Sequence, residues 1–162
     1  MTSISKQRIL ELLDYNKETG IFTWKKPETN RVKPGGLAGR KHKRGYVVIG
    51  LDKKIYTAHR LAWICSNGLT PNGEVDHING QKTDNRIANL RVVDRIGNMQ
   101  NRRRANKDGE TGFLGVSKNH GSYRAQITAN GVRLSLGNFK TPELAHDAYV
   151  KAKRIHHKTC SI

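Results

Sequence analysis

The stretch VDHINGQKTDNRIANLRVVDRIGNMQN, residues 75–101, decides how this chain is read. Asp76-His77 closes a short apolar run, Asn79-Gly80 follows it, and asparagine recurs at 85, 89, 98 and 101. By residue type, 74–78 and 90–93 are strands separated by a long polar loop. Asp94 is a good N-cap for a helix through about Arg104. Two readings compete: a polar structural loop, or a metal-dependent active site laid out in sequence. Adjacent strand residues point to opposite faces, so Asp76 and His77 can serve one site only near a bend or strand end. The Asn79-Gly80 turn supplies that irregularity, and the following helix can bring Asn98 back over Asp76.

Upstream, 5–16 reads as a helix capped by Ser3 or Ser5, with Ile9, Leu10, Leu12 and Leu13 as its apolar stripe. Residues 21–24 form a short strand and 25–44 a basic, Pro- and Gly-rich surface loop able to follow a phosphate backbone. Strands at 46–49 and 54–57 make a hairpin. A helix over AHRLAWICSNG ends at Gly68. Residues 105–112 read as a basic linker. Beyond it, 113–118, 123–129 and 132–136 are strands, with Asn130-Gly131 a strong hairpin turn. Thr141-Pro142 opens a helix whose expected apolar face is Leu144, Ala145, Ala148, Tyr149, Ala152 and Ile155. His156 and His157 read as a solvated basic helix end. The expected fold class is α+β: domain 1–104 with its core at 74–104, then a module at 113–158 in which a three-stranded antiparallel sheet packs on one helix.

The 162 residues carry 30 Lys and Arg against 13 Asp and Glu, a formal net charge of +17. That excess calls for a polyanionic partner, with nucleic acid favoured. No apolar run is long enough to span a membrane. The N-terminus, MTSISKQRILELL, is too polar for a secretory signal. Cys65 and Cys160 are far apart in sequence and form no C-x-x-C unit, so neither a structural zinc site nor a disulfide is expected. His59 and His77 have no nearby soft ligands to complete a zinc site. No small-molecule cofactor is indicated, and monomer and dimer are equally open.

Phosphodiester hydrolysis needs a base for water, an orienting partner for that base, and a cation for the developing charge. Asp carboxylate and Asn amide oxygens are hard donors suited to one magnesium or manganese ion. The ordered set of Asp-His, Asn-Gly, Asp-Asn-Arg, Asn-Leu and Asn-x-x-Asn over residues 75–101 resembles the HNH (His-Asn-His, ββα-metal) nuclease family. LLDYNKETGIFTW and YTAHRLAW are similar to the N-terminal part of phage HNH homing endonucleases. The resemblance implies a DNA endonuclease working in the host cytoplasm and leaving a 5′-phosphate and a 3′-hydroxyl. It implies His77 as general base, Asn89 as the residue that pins the loop and orients His77, and Asp76 and Asn98 as metal ligands. Asn101, His59 and Arg60 are supporting candidates, a packing or DNA-contact role for His59 being an equal alternative. Asn79, Asp84 and Asn85 read as turn chemistry. Arg86 and Arg91 read as phosphate contacts or solvated groups.

In the C-terminal fifty residues, alternation sets Tyr123, Ala125, Ile127 and Ala129 against Arg124, Gln126 and Thr128, and Leu134 against Arg133 and Ser135. The apolar side takes the Ala-rich helix. The polar side can enter a major groove, where Arg and Gln read base edges. Gly115-Val-Ser117, Tyr123-Arg-Ala-Gln-Ile127, Leu136-Gly-Asn-Phe139 and Leu144-Ala-His-Asp-Ala-Tyr149 resemble the Apetala-type (ethylene-response-factor) DNA-binding domain. That resemblance implies DNA contacts at Ser117, Arg124, Gln126, Thr128, Arg133 and Ser135. Where that family often has Arg after Gly-Val and Trp in the third strand, this chain has Ser117 and Ser135. Arg102, Arg103 and Arg104 in the linker region add phosphate contacts. The alternative from another class is a non-catalytic, sequence-specific DNA-binding regulator retaining a nuclease-like fold. An RNA-directed enzyme is less favoured, since no aromatic stacking platform is evident.

Overall fold

Ser5 opens helix α1 (Lys6–Leu12), its hydroxyl accepting the Arg8 N–H at 3.1 Å. The helix stops four residues short of the expected 16. Leu13 is extended (φ −131°, ψ 150°) and begins strand β1 (Leu13–Tyr15), which pairs antiparallel with β2 (Phe22–Trp24). Leu12 and Leu13 are both buried. Leaving the helix lets consecutive leucines enter the core while Tyr15 stacks on Phe22, ring centroids 4.7 Å apart. This gain requires the partner strand β2, so local helix propensity misses it.

The structure is a computed structural model that describes residues 4–29, 32–101, 105, 110–157 and 160. It is a mixed α+β protein, dividing into two units, Met1–Arg95 and Ile96–Ile162. No helix among the described residues is long and apolar enough to cross a membrane.

In the first unit, β3 (Arg40–Lys41), β4 (Val47–Leu51) and β5 (Lys54–Thr57) form one sheet in that order. The expected basic loop therefore ends in a strand. The β4–β5 hairpin turns on Asp52-Lys53 alone, both at positive φ (49° and 60°). Such a two-residue turn matches strand twist. It also keeps Leu51, fully buried, in the ladder. Helix α2 (Ala58–Asn67) ends on left-handed Gly68 and buries Leu61, Ala62, Ile64 and Cys65. Burial raises the Cys65 thiol to about 11, making it an inert core group. Strand β6 (Glu74–His77) pairs antiparallel with β7 (Leu90–Val93). A 3-10 turn at Ile87–Asn89 delivers the chain into β7. Ile9, Leu13, Ile49, Leu51, Leu61, Val75 and Leu90 belong to one core shared by these elements.

Helix α3 (Arg95–Gln100) begins at the division, and Arg102, Arg103 and Arg104 lie outside the described residues. In the second unit, β8 (Val116–Asn119), β9 (Ser122–Ala129) and β10 (Val132–Phe139) form a sheet with β9 in the centre. The first strand starts later than expected because Gly115 is left-handed (φ 76°) and a Cβ there would lie 1.9 Å from the Tyr149 ring. The third runs three residues further. A bulge between Ser135 and Gly137 resets the register so that Asn138 and Phe139 still pair.

Helix α4 (Pro142–His156) is capped by Thr141, with Pro in its first turn. It buries Ala145, Tyr149, Ala152 and Lys153. Leu144 (52% exposed) and Ile155 (78%) are not on that face, contrary to the sequence expectation. The buried set follows i, i+4, i+7, i+8 from Ala145, and Leu144 and Ile155 fall to its sides. His157 is buried rather than solvated, its Nε2–H donating to the Thr128 carbonyl at 3.0 Å.

Candidate active site

His77 is the last residue of β6, opposite Leu90, and only 3% exposed. The two strand-end neighbours have separate partners. Asp76 sits cross-strand from Arg91, whose Nε and Nη2 donate to Asp76 Oδ2 at 3.2 and 3.0 Å. Arg91 is thus neither a solvated group nor an uncommitted phosphate contact: it holds the Asp76 carboxylate. The His77 ring instead meets the loop that follows, with Nε2 3.3 Å from Asn85 Oδ1.

The Asn85 amide orientation is set independently, since its Nδ2 donates to the Thr83 carbonyl at 3.2 Å. Oδ1 can only accept, so His77 Nε2 carries the proton and Nδ1 holds the basic lone pair. Burial lowers the His77 pKa below its ordinary value, while the Asn85 hydrogen bond and the Asp76 and Asp84 carboxylates oppose the shift. The ring is therefore neutral at neutral pH, the state a general base requires.

Asn89 holds the loop rather than the ring. Its Oδ1 accepts the Asn79 N–H at 3.0 Å, and its Nδ2 donates to Asn79 Oδ1 at 3.0 Å and to the Asp84 carbonyl at 2.9 Å. Asn79 in turn donates to Asp84 Oδ2 at 2.8 Å. Arg86 chelates the same carboxylate through Nε and Nη2 at 2.8 and 2.7 Å. The Arg86 guanidinium, then Asn79, holds the Asp84 carboxyl down at about 2. Asp84 and Asn79 are loop-forming residues, but Asn85 is not ordinary turn chemistry: it is 3% exposed and faces the imidazole.

An element outside the polar stretch braces this loop. Tyr15 of β1 donates its hydroxyl to the Asn85 carbonyl at 2.8 Å. Gly20, at φ 74°, lies so close that a Cβ would be 2.4 Å from the Arg86 nitrogen. Burial raises the Tyr15 phenol to about 12, so it remains a donor.

His59, on the first turn of α2, is also buried, and its ring meets His77 edge-on at 5.0 Å. Its Nε2 is 3.3 Å from Thr57 Oγ1, and its Nδ1 is buried with no hydrogen-bond partner. Burial, then the neighbouring His77 and Arg60, pushes its pKa down to about 3. Tyr46 packs on both imidazoles, and burial, then Asp76 and Glu74, raises its phenol. Sequence reading singled out neither Tyr15, Tyr46 nor Asn85 for the site. The aromatic strand ends and a buried Asx beside Asp-His were the available signals.

The structure thus gathers Asp76, His77, Asn89 and His59 in the first unit, with Arg60 next to His59 on α2. Asn98 and Asn101 lie on and just after α3, in the second unit. Asn101 is buried, and its N–H donates to the Gly97 carbonyl at 3.1 Å. Among the described residues, no group of three or more His, Cys, Asp or Glu converges as a metal cluster. Within the first unit Asp76 offers one carboxylate, a hard oxygen donor of the kind that suits a cation keeping most of its water ligands.

In the second unit, register places Ser117, Arg124 and Asn138 side by side across three strands, with Gln126 beside Ser135 and Thr128 beside Arg133. Arg124, Thr128, Arg133 and Ser135 are exposed; Ser117 and Gln126 are half-buried. Ala125, Ile127 and Ala129 occupy the opposite, buried face.

Residues 56–100 match the family model for HNH endonucleases, a segment that includes Asp76, His77, Asn85, Asn89 and Asn98. The match supports a nuclease, and with it a divalent metal and a DNA substrate. No curated protein and no solved structure matches the chain.

Proposed function

We propose that this chain is a metal-dependent DNA endonuclease of the site-preferring, phage homing type, in which His77 is the general base. The observation that carries the reading is the neutral, buried His77, with Asn85 fixing its tautomer inside the segment that matches HNH endonucleases. At 3% exposure the ring is shielded from bulk solvent, so the water it deprotonates is a bound one. That water's proton passes to Nδ1 as its oxygen attacks phosphorus; the bond between phosphorus and the 3′ oxygen breaks, and that oxygen takes a proton from water to become the 3′-hydroxyl. Asn89 keeps the loop, and through it Asn85, in register with the imidazole. Asp76 and Asn98 would hold magnesium or manganese, which when bound stabilises charge on the phosphate and the leaving oxygen. Arg91 holds the Asp76 carboxylate in place for that task.

The polar face of Ser117, Arg124, Gln126, Thr128, Arg133 and Ser135 would read double-stranded DNA, as part of a DNA-binding module at 113–158. Arg102, Arg103 and Arg104 would add phosphate contacts. Incubation of the protein with a genomic DNA library and magnesium or manganese, followed by sequencing of the ends, tests the proposal. Recurrent sites bearing 5′-phosphate and 3′-hydroxyl termini are expected. Retained DNA binding without any cleavage would instead favour the regulator.

A further inference from the structure

Tyr46 lies immediately before β4 and outside the segment that matches the nuclease family. Its ring centroid is 5.1 Å from that of His59 and 6.1 Å from that of His77. The two imidazoles are 5.0 Å apart and nearly perpendicular, at 74°. The three rings therefore close a triangle, each touching the other two. On the Tyr46 ring sits the Lys82 ammonium, 4.7 Å from the centroid, within reach of a cation–π attraction. The same ammonium donates to the Arg44 carbonyl at 3.0 Å. Lys82 belongs to the loop that carries Asn85, so this contact ties that loop to residues 44–46.

The Asn85 contact holds one ring nitrogen of His77. Packing by His59 and Tyr46 restricts rotation of the imidazole about that contact. A proton acceptor must be held within about 0.5 Å and 10–20° of its productive pose. His59 meets His77 edge-on, and Tyr46 leans on His59 and His77 at interplanar angles of 48° and 36°; such ring contacts restrict orientation in a way that aliphatic packing does not. We propose that Tyr46, capped by Lys82, is a positioning residue for His77, fixing the plane of the imidazole for proton abstraction. This rests on the nuclease reading, and the ring geometry is testable without it.

The test uses Tyr46→Phe, which keeps the ring, and Tyr46→Leu, which fills much of the volume without an aromatic face. Two quantities are measured on the full chain. One is the single-turnover cleavage rate at saturating DNA, alongside Kd. The other is the nitrogen NMR signature of the His77 ring in the absence of DNA. Tyr46→Leu is expected to lower the rate about 100-fold with Kd little changed, the scale of a misplacement near 1 Å. Its His77 signals should shift and broaden. Tyr46→Phe should restore the rate to within about threefold and the spectrum to that of wild type.

Wild-type rate and an unaltered His77 spectrum in Tyr46→Leu would overturn the assignment. So would a Tyr46→Phe protein as slow as the Leu variant with normal His77 signals, since the hydroxyl would then act on substrate. If circular dichroism shows that Tyr46→Leu does not fold, Lys82→Met serves. Its His77 signals must move if the cap matters, and unmoved signals count against the proposal. Failure of the wild type to cleave any DNA would sink the nuclease reading alone, because the spectra still decide what Tyr46 does.

Discussion

The β6–β7 loop of the first unit and the sheet of the second spend their polar residues in opposite ways. His77 at the end of β6 and Asn85 and Asn89 in the loop are buried and hydrogen-bonded within the protein. In the sheet, Arg124, Thr128, Arg133 and Ser135 are exposed, and alanine and isoleucine fill the face beneath. Groups meant for chemistry must be oriented before substrate arrives, and burial with full hydrogen bonding does that. Groups meant to touch a long polyanion gain more from remaining accessible. Substitutions in the loop should therefore act on stability and rate, and those in the sheet on affinity alone.

The sharpest way to break that division is Asn89→Ala. It strands the Asn79 N–H and the Asp84 carbonyl, and should cost about 3 kcal/mol in urea unfolding. A loss below ~1 kcal/mol would mean that Asn89 does not organise the loop.

Acid comes next. His59 titrates near its ordinary 6.5 when unfolded but at about 3 when folded. Between those values the unfolded chain binds the extra proton, so stability is intact above pH 6.5 and falls as pH drops towards 3. Going from pH 7 to 5 should cost about 2 kcal/mol from this group. His59→Gln should flatten that slope in chemical denaturation, and an unchanged slope would place the titration elsewhere.

Asn85→Ala should slow cleavage about tenfold while leaving Kd unchanged, the usual scale for a residue that orients a reactive histidine. Equal loss of binding would make Asn85 a DNA contact. The smallest effect on chemistry belongs to Arg124→Ala with Arg133→Ala. Binding should weaken and the slope of log K against log salt become shallower by about 2, with cleavage at saturation intact. A drop in the saturated rate would erase the distinction between the two regions.

What the sequence made legible was local. Gly68, Asn130-Gly131 and Thr141-Pro142 each encode a turn or cap within a few residues, and the structure has them where they were read. Strands at 74–78 and 90–93 followed from residue type, and the structure pairs 74–77 with 90–93. The hidden parts depend on partners outside the segment itself. Leu13–Tyr15 becomes a strand only because Phe22–Trp24 pairs with it. Tyr15 reaches Asn85 across 70 positions. Tyr46 meets His77 only when two separate sheets are assembled around α2. Asn85 looked like turn chemistry because an Asx residue satisfying loop backbone and one orienting an imidazole have the same sequence signature.

The buried His77 is the proposed base. Single-turnover nicking of supercoiled DNA with magnesium or manganese, compared between wild type and His77→Ala at equal DNA occupancy, tests it directly. A loss of about 10³-fold with binding retained is expected. Cleavage by His77→Ala at the wild-type rate would contradict it.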